Sequence, residues 1–281
     1  MHILLFLILT SRVLLAQEAP FAQTDIDRRV FMPRTLALSG NMTARVNLNE
    51  SIYYNPASSA HSRCTSIDAG AAWNNIPSID GRVDSYFANA LDTEGGIFGG
   101  GLGYARRSIT SGGSEWELRG IINKLLLSNR LALGIGISYL SYNHQGQKGN
   151  NVNTDFGLLW LLAPKSIIGV TAYNLLGDKH NLETRALAFG FRQTFWDFFS
   201  VDLDFEHRFK KKTTFGGALE LLYRNGLMLT LSGKRNQNLK NTSWGMGLGY
   251  VGPKISFIYG TMNAITAPFS FAHSASLRVF F

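Results

Sequence analysis

Residues 131–139 read LALGIGISY, residues 201–208 read VDLDFEHR and residues 244–250 read WGMGLGY. In the first, Leu131, Leu133, Ile135, Ile137 and Tyr139 share one parity, while Ala132, Gly134, Gly136 and Ser138 share the other. Successive side chains of an extended strand point to opposite faces, so this is a strand with one large apolar face and one small or polar face. The second stretch sharpens the contrast by setting Val201, Leu203 and Phe205 against Asp202, Asp204 and Glu206. The same rhythm runs from residue 63 to the end, including Leu187, Phe189 and Phe191 against Ala188, Gly190 and Arg192. Alternation alone fits two solutions: a water-soluble sandwich or β-helix with the apolar set inside, and its inside-out counterpart in a lipid bilayer.

Connection lengths separate them. The region divides into about fourteen strands, 64–74, 82–90, 96–107, 115–126, 130–142, 152–162, 166–176, 184–194, 198–208, 213–223, 227–235, 242–251, 254–262 and 271–281. Connections after even-numbered strands are short, such as Ala163-Pro164-Lys165 and Gly252-Pro253. Those after odd-numbered strands are longer and polar, such as 145–151, 177–182, 236–241 and 263–270. Short turns on one side and long loops on the other mark outer-membrane barrels, and an even count returns the C-terminus to the short-turn side. Trp160, Phe195, Trp196, Phe198, Phe199, Tyr223 and Tyr250 gather near the short turns, where an interfacial aromatic girdle is expected. The fold class read from the sequence is therefore all-β, a transmembrane antiparallel β-barrel of about fourteen strands.

Composition agrees. Only 16% of the 281 residues are charged, against roughly 25% in an average globular chain, as expected either of a well-buried protein or of one whose outer surface does not face water. One cysteine excludes an internal disulfide framework and a cysteine-built zinc or iron–sulfur centre. The net charge of +8 is spread along the chain, with Lys210-Lys211-Lys212 the one basic run, which is not the clustered footprint of a nucleic-acid binder. At an outer turn, those lysines suit either lipopolysaccharide phosphates or water.

The apolar run 3–9, followed by Val13-Leu14-Leu15-Ala16 and polar Gln17-Glu18, reads as a signal peptide cleaved near Ala16. The next apolar candidate, 158–177, is broken by Pro164 and Lys165 and carries the β-branched Ile167, Ile168, Val170 and Thr171. It reads as two strands and a turn rather than a membrane helix. The expected organisation is a signal peptide over 1–16, a plug or hatch segment over 17–63 and the barrel over 64–281.

Residues 34–60 read RTLALSGNMTARVNLNESIYYNPASSA. With Leu38-Ser39-Gly40 and Thr43-Ala44 upstream of Tyr54-Asn55-Pro56-Ala57, this segment resembles the N-terminal region of the FadL-like outer-membrane superfamily. That superfamily comprises the long-chain fatty-acid transporters and the PorV and PorQ barrels of type IX secretion. Ser58 stands where the family usually has Gly, and no long external insertion is present. The resemblance implies a short helical plug ending in the Tyr-Asn-Pro-Ala motif and filling the lumen. Asn55-Pro56 suits that place, because Pro fixes its own φ and Asn caps exposed amides. The last strand, FAHSASLRVFF, places Leu277 and Val279 on the apolar face and ends on Phe281. It resembles the C-terminal aromatic signal read by the barrel-assembly machinery.

Within the barrel, alternation aims Asp202, Asp204, Glu206 and Arg208 into the lumen, with Arg192 on the strand before, Glu220 on the strand after, and Glu117 and Arg119 as a further inward pair. These residues either pair across strands to fill a narrow lumen or line a path for a polar solute. The six histidines, His2, His61, His144, His180, His207 and His273, form no motif with a nucleophile and an acid. No enzymatic activity, metal or cofactor is expected. The glycines at 95, 96, 99, 100, 101 and 103 lack the Lys-Ser/Thr and the helix of a phosphate loop, and read instead as room for the plug. The resemblance implies passage of small hydrophobic molecules across the outer membrane. A PorV/PorQ-like docking role in a secretion or attachment system is the alternative. Expected partners are outer-membrane lipids and lipopolysaccharide, the barrel-assembly machinery, a lipophilic ligand and, under the alternative, a secretion partner.

Overall fold

The computed structural model describes residues 31–76, 81–95, 97–109, 112–144, 147–176, 184–209, 213–236, 242–264 and 270–281. The leader over 1–16, Lys210-Lys211-Lys212, Gly96, His2 and His180 lie outside the described residues.

Fourteen antiparallel strands close on themselves: β1 (Thr65–Ile76), β2 (Gly81–Asp92), β3 (Gly99–Ile109), β4 (Gly113–Leu126), β5 (Leu131–His144), β6 (Gln147–Ala163), β7 (Ser166–Tyr173), β8 (Ala186–Phe195), β9 (Phe199–Arg208), β10 (Thr213–Leu222), β11 (Leu227–Asn236), β12 (Thr242–Val251), β13 (Ile255–Ala264) and β14 (Ser270–Phe280). Each pairs with its sequence neighbours, and β14 returns to β1 with Leu277 opposite Ala69 and Val279 opposite Ile67. Closure leaves no sheet edge, so every strand has ladder partners on both sides, as a bilayer requires. No helix among the described residues is long and apolar enough to cross a membrane.

Orientation follows the alternation. Leu203 is 56% exposed and Asp202, one residue away, 2% exposed. Ile135, Phe189, Leu231, Leu248 and Leu277 likewise face outward, giving the apolar band of an inside-out protein. At the short-turn end the exposed aromatics Trp160, Phe195, Trp196, Phe198, Tyr223 and Tyr250 line the rim, with Phe199 half-buried. Trp196 and Asp197 both adopt positive φ (50° and 65°), the left-handed conformation that closes a tight hairpin.

Most expected boundaries move by one to three residues, and two of the shifts have a clear cause. Residues 147–151, read as loop, belong to β6 and pair with 140–144 of β5, with Lys148 opposite Asn143. The apolar pattern ends before the backbone ladder does, so the hairpin continues as polar strand. Conversely, β7 stops at Tyr173 rather than 176. Asn174 takes φ 55° and donates its backbone N–H to Asp155 Oδ1 at 2.8 Å, which ends the ladder.

Residues 31–62 are buried or half-buried within the barrel, and Arg63 is exposed. Helix α1 (Pro33–Ala37) opens with Pro at its first turn and ends at Ser39 and Gly40, both with positive φ. Two 3-10 turns follow, Asn49–Ile52 and Ser58–His61. The helical part is therefore α1 at the segment's start, and the Tyr-Asn-Pro-Ala motif sits between the two 3-10 turns rather than at the end of a helix.

Candidate functional site: the occupied lumen

The segment winds round the inner wall in contact with nearly every strand, and glycines make this possible. A Cβ on Gly260 (β13) would sit 1.8 Å from the carbonyl oxygen of Pro33, and one on Gly245 (β12) 2.3 Å from that of Leu36. Further round, a Cβ on Gly216 (β10) would run into Asn41 Oδ1, one on Gly169 (β7) into the Thr43 carbonyl oxygen, one on Gly157 (β6) into Asn55 Oδ1 and one on Gly134 (β5) into the Pro56 carbonyl carbon. At Gly260, Gly245, Gly169 and Gly134 the atom met is backbone, so a larger residue there forces the segment to shift; at Gly216 and Gly157 it is the end of an asparagine side chain. On β3, Gly103 makes the same room for Tyr53 and Ile52.

The Tyr54-Asn55-Pro56-Ala57 turn is braced by Asn55. Its Oδ1 accepts from the Ala57 N–H at 3.1 Å, while its Nδ2 donates to the carbonyls of Thr43 (2.8 Å) and Leu158 on β6 (3.1 Å). Asn123 of β4 donates to the Pro56 carbonyl at 3.0 Å and to Ser59 Oγ at 2.8 Å. Tyr54 and Ala57 are buried.

Charge supplies the second set of contacts. Arg45 reaches Asp202 Oδ2 and Glu220 Oε2, both at 2.8 Å; Arg34 approaches Glu220 at 3.1 Å, and Arg192 approaches Asp202 at 3.0 Å and Glu220 at 3.2 Å. A second cluster joins Arg107 to Glu115 (2.7 Å) and Glu117 (3.1 Å), and Arg119 to Glu117 and to Asp155 (2.8 Å). A third sets Arg278 between Glu50 (2.8 Å) and Asp68 (3.1 Å). Nearby, Glu206 pairs with Arg208 (2.6 Å) and Lys234 (3.5 Å), and Asp204 accepts the Thr43 N–H at 3.3 Å.

Burial pushes the Glu50 carboxyl up, but Arg278 and Arg34 outweigh it and hold it below the ordinary carboxylate range. Burial, then the charge of Glu117, pushes the Tyr53 hydroxyl up, keeping it a donor to Asn89 Oδ1 at 2.9 Å. Between the ionic clusters lies an apolar one in which Phe31, Met32, Leu36, Met42, Ile52 and Tyr53 pack on Phe87, Leu91, Ile121 and Met262 of the wall.

Of the eight residues named from alternation, Glu117, Arg119, Arg192, Asp202, Glu206, Arg208 and Glu220 take part in ion pairs with one another, with other wall residues or with the segment, and Asp204 accepts the Thr43 N–H. Alternation did not single out Arg34, Arg45 and Glu50, because the segment has no strand period, nor the wall partners Arg107, Glu115, Asp155, Asp68 and Asn123. Charge parity on β1, β3, β4 and β6 was the available signal for the charged members of the last group. At the barrel's end Leu277 and Phe281 are exposed and Val279 is half-buried. Of the histidines, His61 closes the second 3-10 turn; His207 Nδ1 shares a hydrogen bond with Thr213 Oγ1 at 2.9 Å, and His273 Nδ1 with Tyr259 OH at 2.7 Å. His144 ends β5.

This architecture recurs among solved structures. The CymD monoaromatic hydrocarbon channel aligns with TM-score 0.71 at 11% identity, over 90% of this chain and 98% of its own. The Ralstonia pickettii toluene transporter TbuX aligns with TM-score 0.70 at 12% identity, over 91% and 98%. A Pseudomonas aeruginosa FadL homologue aligns with TM-score 0.63 at 9% identity, over 89% and 98%. The fold is that of the FadL-like outer-membrane barrels. No protein-family description and no curated protein matches the sequence. The FadL-like architecture is thus carried here by a sequence that shares with these structures about one residue in nine.

Proposed function

We propose that this FadL-like barrel sits in the bacterial outer membrane and passes small hydrophobic molecules across it, with residues 31–63 as the hatch. The observation that carries this reading is a closed barrel with an apolar outer band whose lumen is filled by its own N-terminal segment. A permanently solid barrel needs no separate insert. Solved barrels of this architecture include a monoaromatic hydrocarbon channel and a toluene transporter. In this reading the glycine seats and ionic clusters hold the segment in its closed position, and the apolar cluster around Phe31, Tyr53 and Phe87 gives a hydrophobic solute somewhere to lodge. Tyr54-Asn55-Pro56-Ala57 is the hinge-side anchor of the hatch. Leu277, Val279 and Phe281 form the strand by which the assembly machinery inserts the barrel, with a lipophile as the transported partner and lipids and lipopolysaccharide around it. No step calls on catalysis, a metal or a cofactor.

The test is uptake of radiolabelled toluene and oleate by cells lacking their own hydrophobic-solute barrels, with and without this chain. Uptake that rises with the chain and falls when the hatch is cross-linked to the wall supports transport. Equal uptake, together with a protein partner recovered on mild purification, moves the function to docking.

A further inference from the structure

At the short-turn rim, the β8–β9, β10–β11 and β12–β13 turns enclose a cleft of about 750 Å³, lined by Trp196 and Phe198 from the first, Tyr223, Arg224 and Asn225 from the second and Tyr250 at the entry to the third. That volume falls in the ordinary range of ligand pockets, roughly 300–1,000 Å³. The turns are tied to one another. Gly226 takes φ 88° and donates its N–H to the Tyr223 carbonyl at 2.9 Å, and its own carbonyl accepts the Val251 N–H at 2.8 Å. The cleft is therefore formed before anything enters it.

Two apolar rows of the outer wall run into it. On β10 Leu219, Leu221 and Tyr223 share the outward parity, as Met246, Leu248 and Tyr250 do on β12, and all but the half-buried Leu221 are exposed. Each row ends on a tyrosine, whose apolar body and polar tip settle at the level of lipid headgroups. At the water end, Arg224 is exposed and makes no ion pair among the described residues, whereas Asp197, the acid of the cleft, is taken by Lys165 at 2.8 Å. Exposed cations recur along this rim, with Arg130, Lys165, Arg224 and Lys254 each in a different short turn. A cleft that is apolar towards the bilayer and cationic towards water is complementary to an amphiphile with an anionic head.

We propose that this cleft holds the phosphate-bearing headgroup of a membrane phospholipid, with Arg224 on the phosphate, Tyr223 and Tyr250 beside the glycerol and the acyl chains lying along the β10 and β12 rows. The lipid is a ligand of the wall and not a solute in transit. The inference goes beyond the transport reading, since the tyrosines of the cleft belong to the lipid-facing rows and not to the filled lumen.

The test is native mass spectrometry of the full chain folded into mixed vesicles of phosphatidylglycerol and phosphatidylcholine and released in mild detergent, with retained lipid read as added mass. The unaltered chain is expected to retain a single phosphatidylglycerol, and Arg224→Gln about fivefold less of it, the worth of one cation at a headgroup. Arg130→Gln removes the same charge from a turn outside the cleft and is expected to match the unaltered chain. Dioleoylglycerol, which has the tails without the phosphate, is expected to be lost on release. Undiminished retention in Arg224→Gln, an equal loss in Arg130→Gln, retention of the diacylglycerol, or displacement of the lipid by free glycerol phosphate each overturns the site. Toluene uptake is scored separately: lipid retained without uptake defeats the transport reading alone, and uptake without selective retention of the lipid defeats the site alone.

Discussion

Arg45 and Asp202, 157 residues apart in the chain, meet at 2.8 Å with both side chains almost wholly buried. Glu220 receives the other arm of the same guanidinium, and Arg34 and Arg192 close the cluster. One residue of the internal segment thereby ties together strands β9 and β10. Burial works against the Arg45 charge, and the two carboxylates outweigh it.

Removing that tie should release the segment. Arg45→Ala deprives Asp202 and Glu220 of one hydrogen-bonding partner while Arg34 and Arg192 still meet their charge, a loss of about 1.5–3 kcal/mol. The expected result is a lower unfolding temperature and, in planar bilayers, a larger conductance than the unaltered chain. Arg45→Lys should recover only part, since an ammonium lacks the fork that spans two carboxylates. Conductance unchanged in Arg45→Ala would show that the glycine seats alone keep the lumen shut.

Two inward glycines offer a matched pair. A Cβ on Gly169 would fall 2.0 Å from the Thr43 carbonyl oxygen, whereas one on Gly136 would find its nearest neighbour at 3.5 Å, an ordinary contact. Gly169→Ala is expected to cost about 1–3 kcal/mol by overpacking and to raise protease access to the segment, while Gly136→Ala changes neither. Thermal unfolding and limited proteolysis of the two variants side by side decide it.

Acid should loosen the contact between Glu50 and Arg278. The folded carboxyl lies below its unfolded value of about 4.3, so the contribution is complete above that value and is lost as pH falls through the lower folded one. Segment docking, followed by protease access, is expected to hold steady from neutral pH to about 5 and to weaken in stronger acid. Glu50→Gln should weaken docking at neutral pH and flatten that part of the acid response. An identical acid profile in both proteins would remove Glu50 from the account.

Neighbouring residues of β9 test the orientation of the wall. Leu203→Arg puts a charge in the lipid band and is expected to cost about 2–4 kcal/mol near the bilayer midplane, measured by folding into vesicles. Ser200→Thr, on the inward face of the same strand, should fold as the unaltered chain does.

Much of this was legible in residues 131–139, 201–208 and 244–250. A strand in a bilayer has two solvents, lipid on one side and the lumen on the other, and each dictates its own residue type at a period of two. Strand number and wall orientation therefore follow from local sequence and turn length. The ends of β6 and β7 did not, because Lys148 pairs above the apolar band and Asn174 yields to Asp155, contacts that hydropathy does not register.

What the sequence by itself determined is the barrel: a repeating local rule, applied strand by strand, has one closed solution. What only the tertiary structure decided is how the lumen is filled. Arg34, Arg45 and Glu50 find partners 157 to 228 residues away, Phe31 packs edge-to-face on Phe87 of the wall, and inward wall glycines become seats for one winding segment. Those contacts join residues with no periodic relation to one another. Their positions become neighbours only once closure of the sheet has brought all fourteen strands round a common interior.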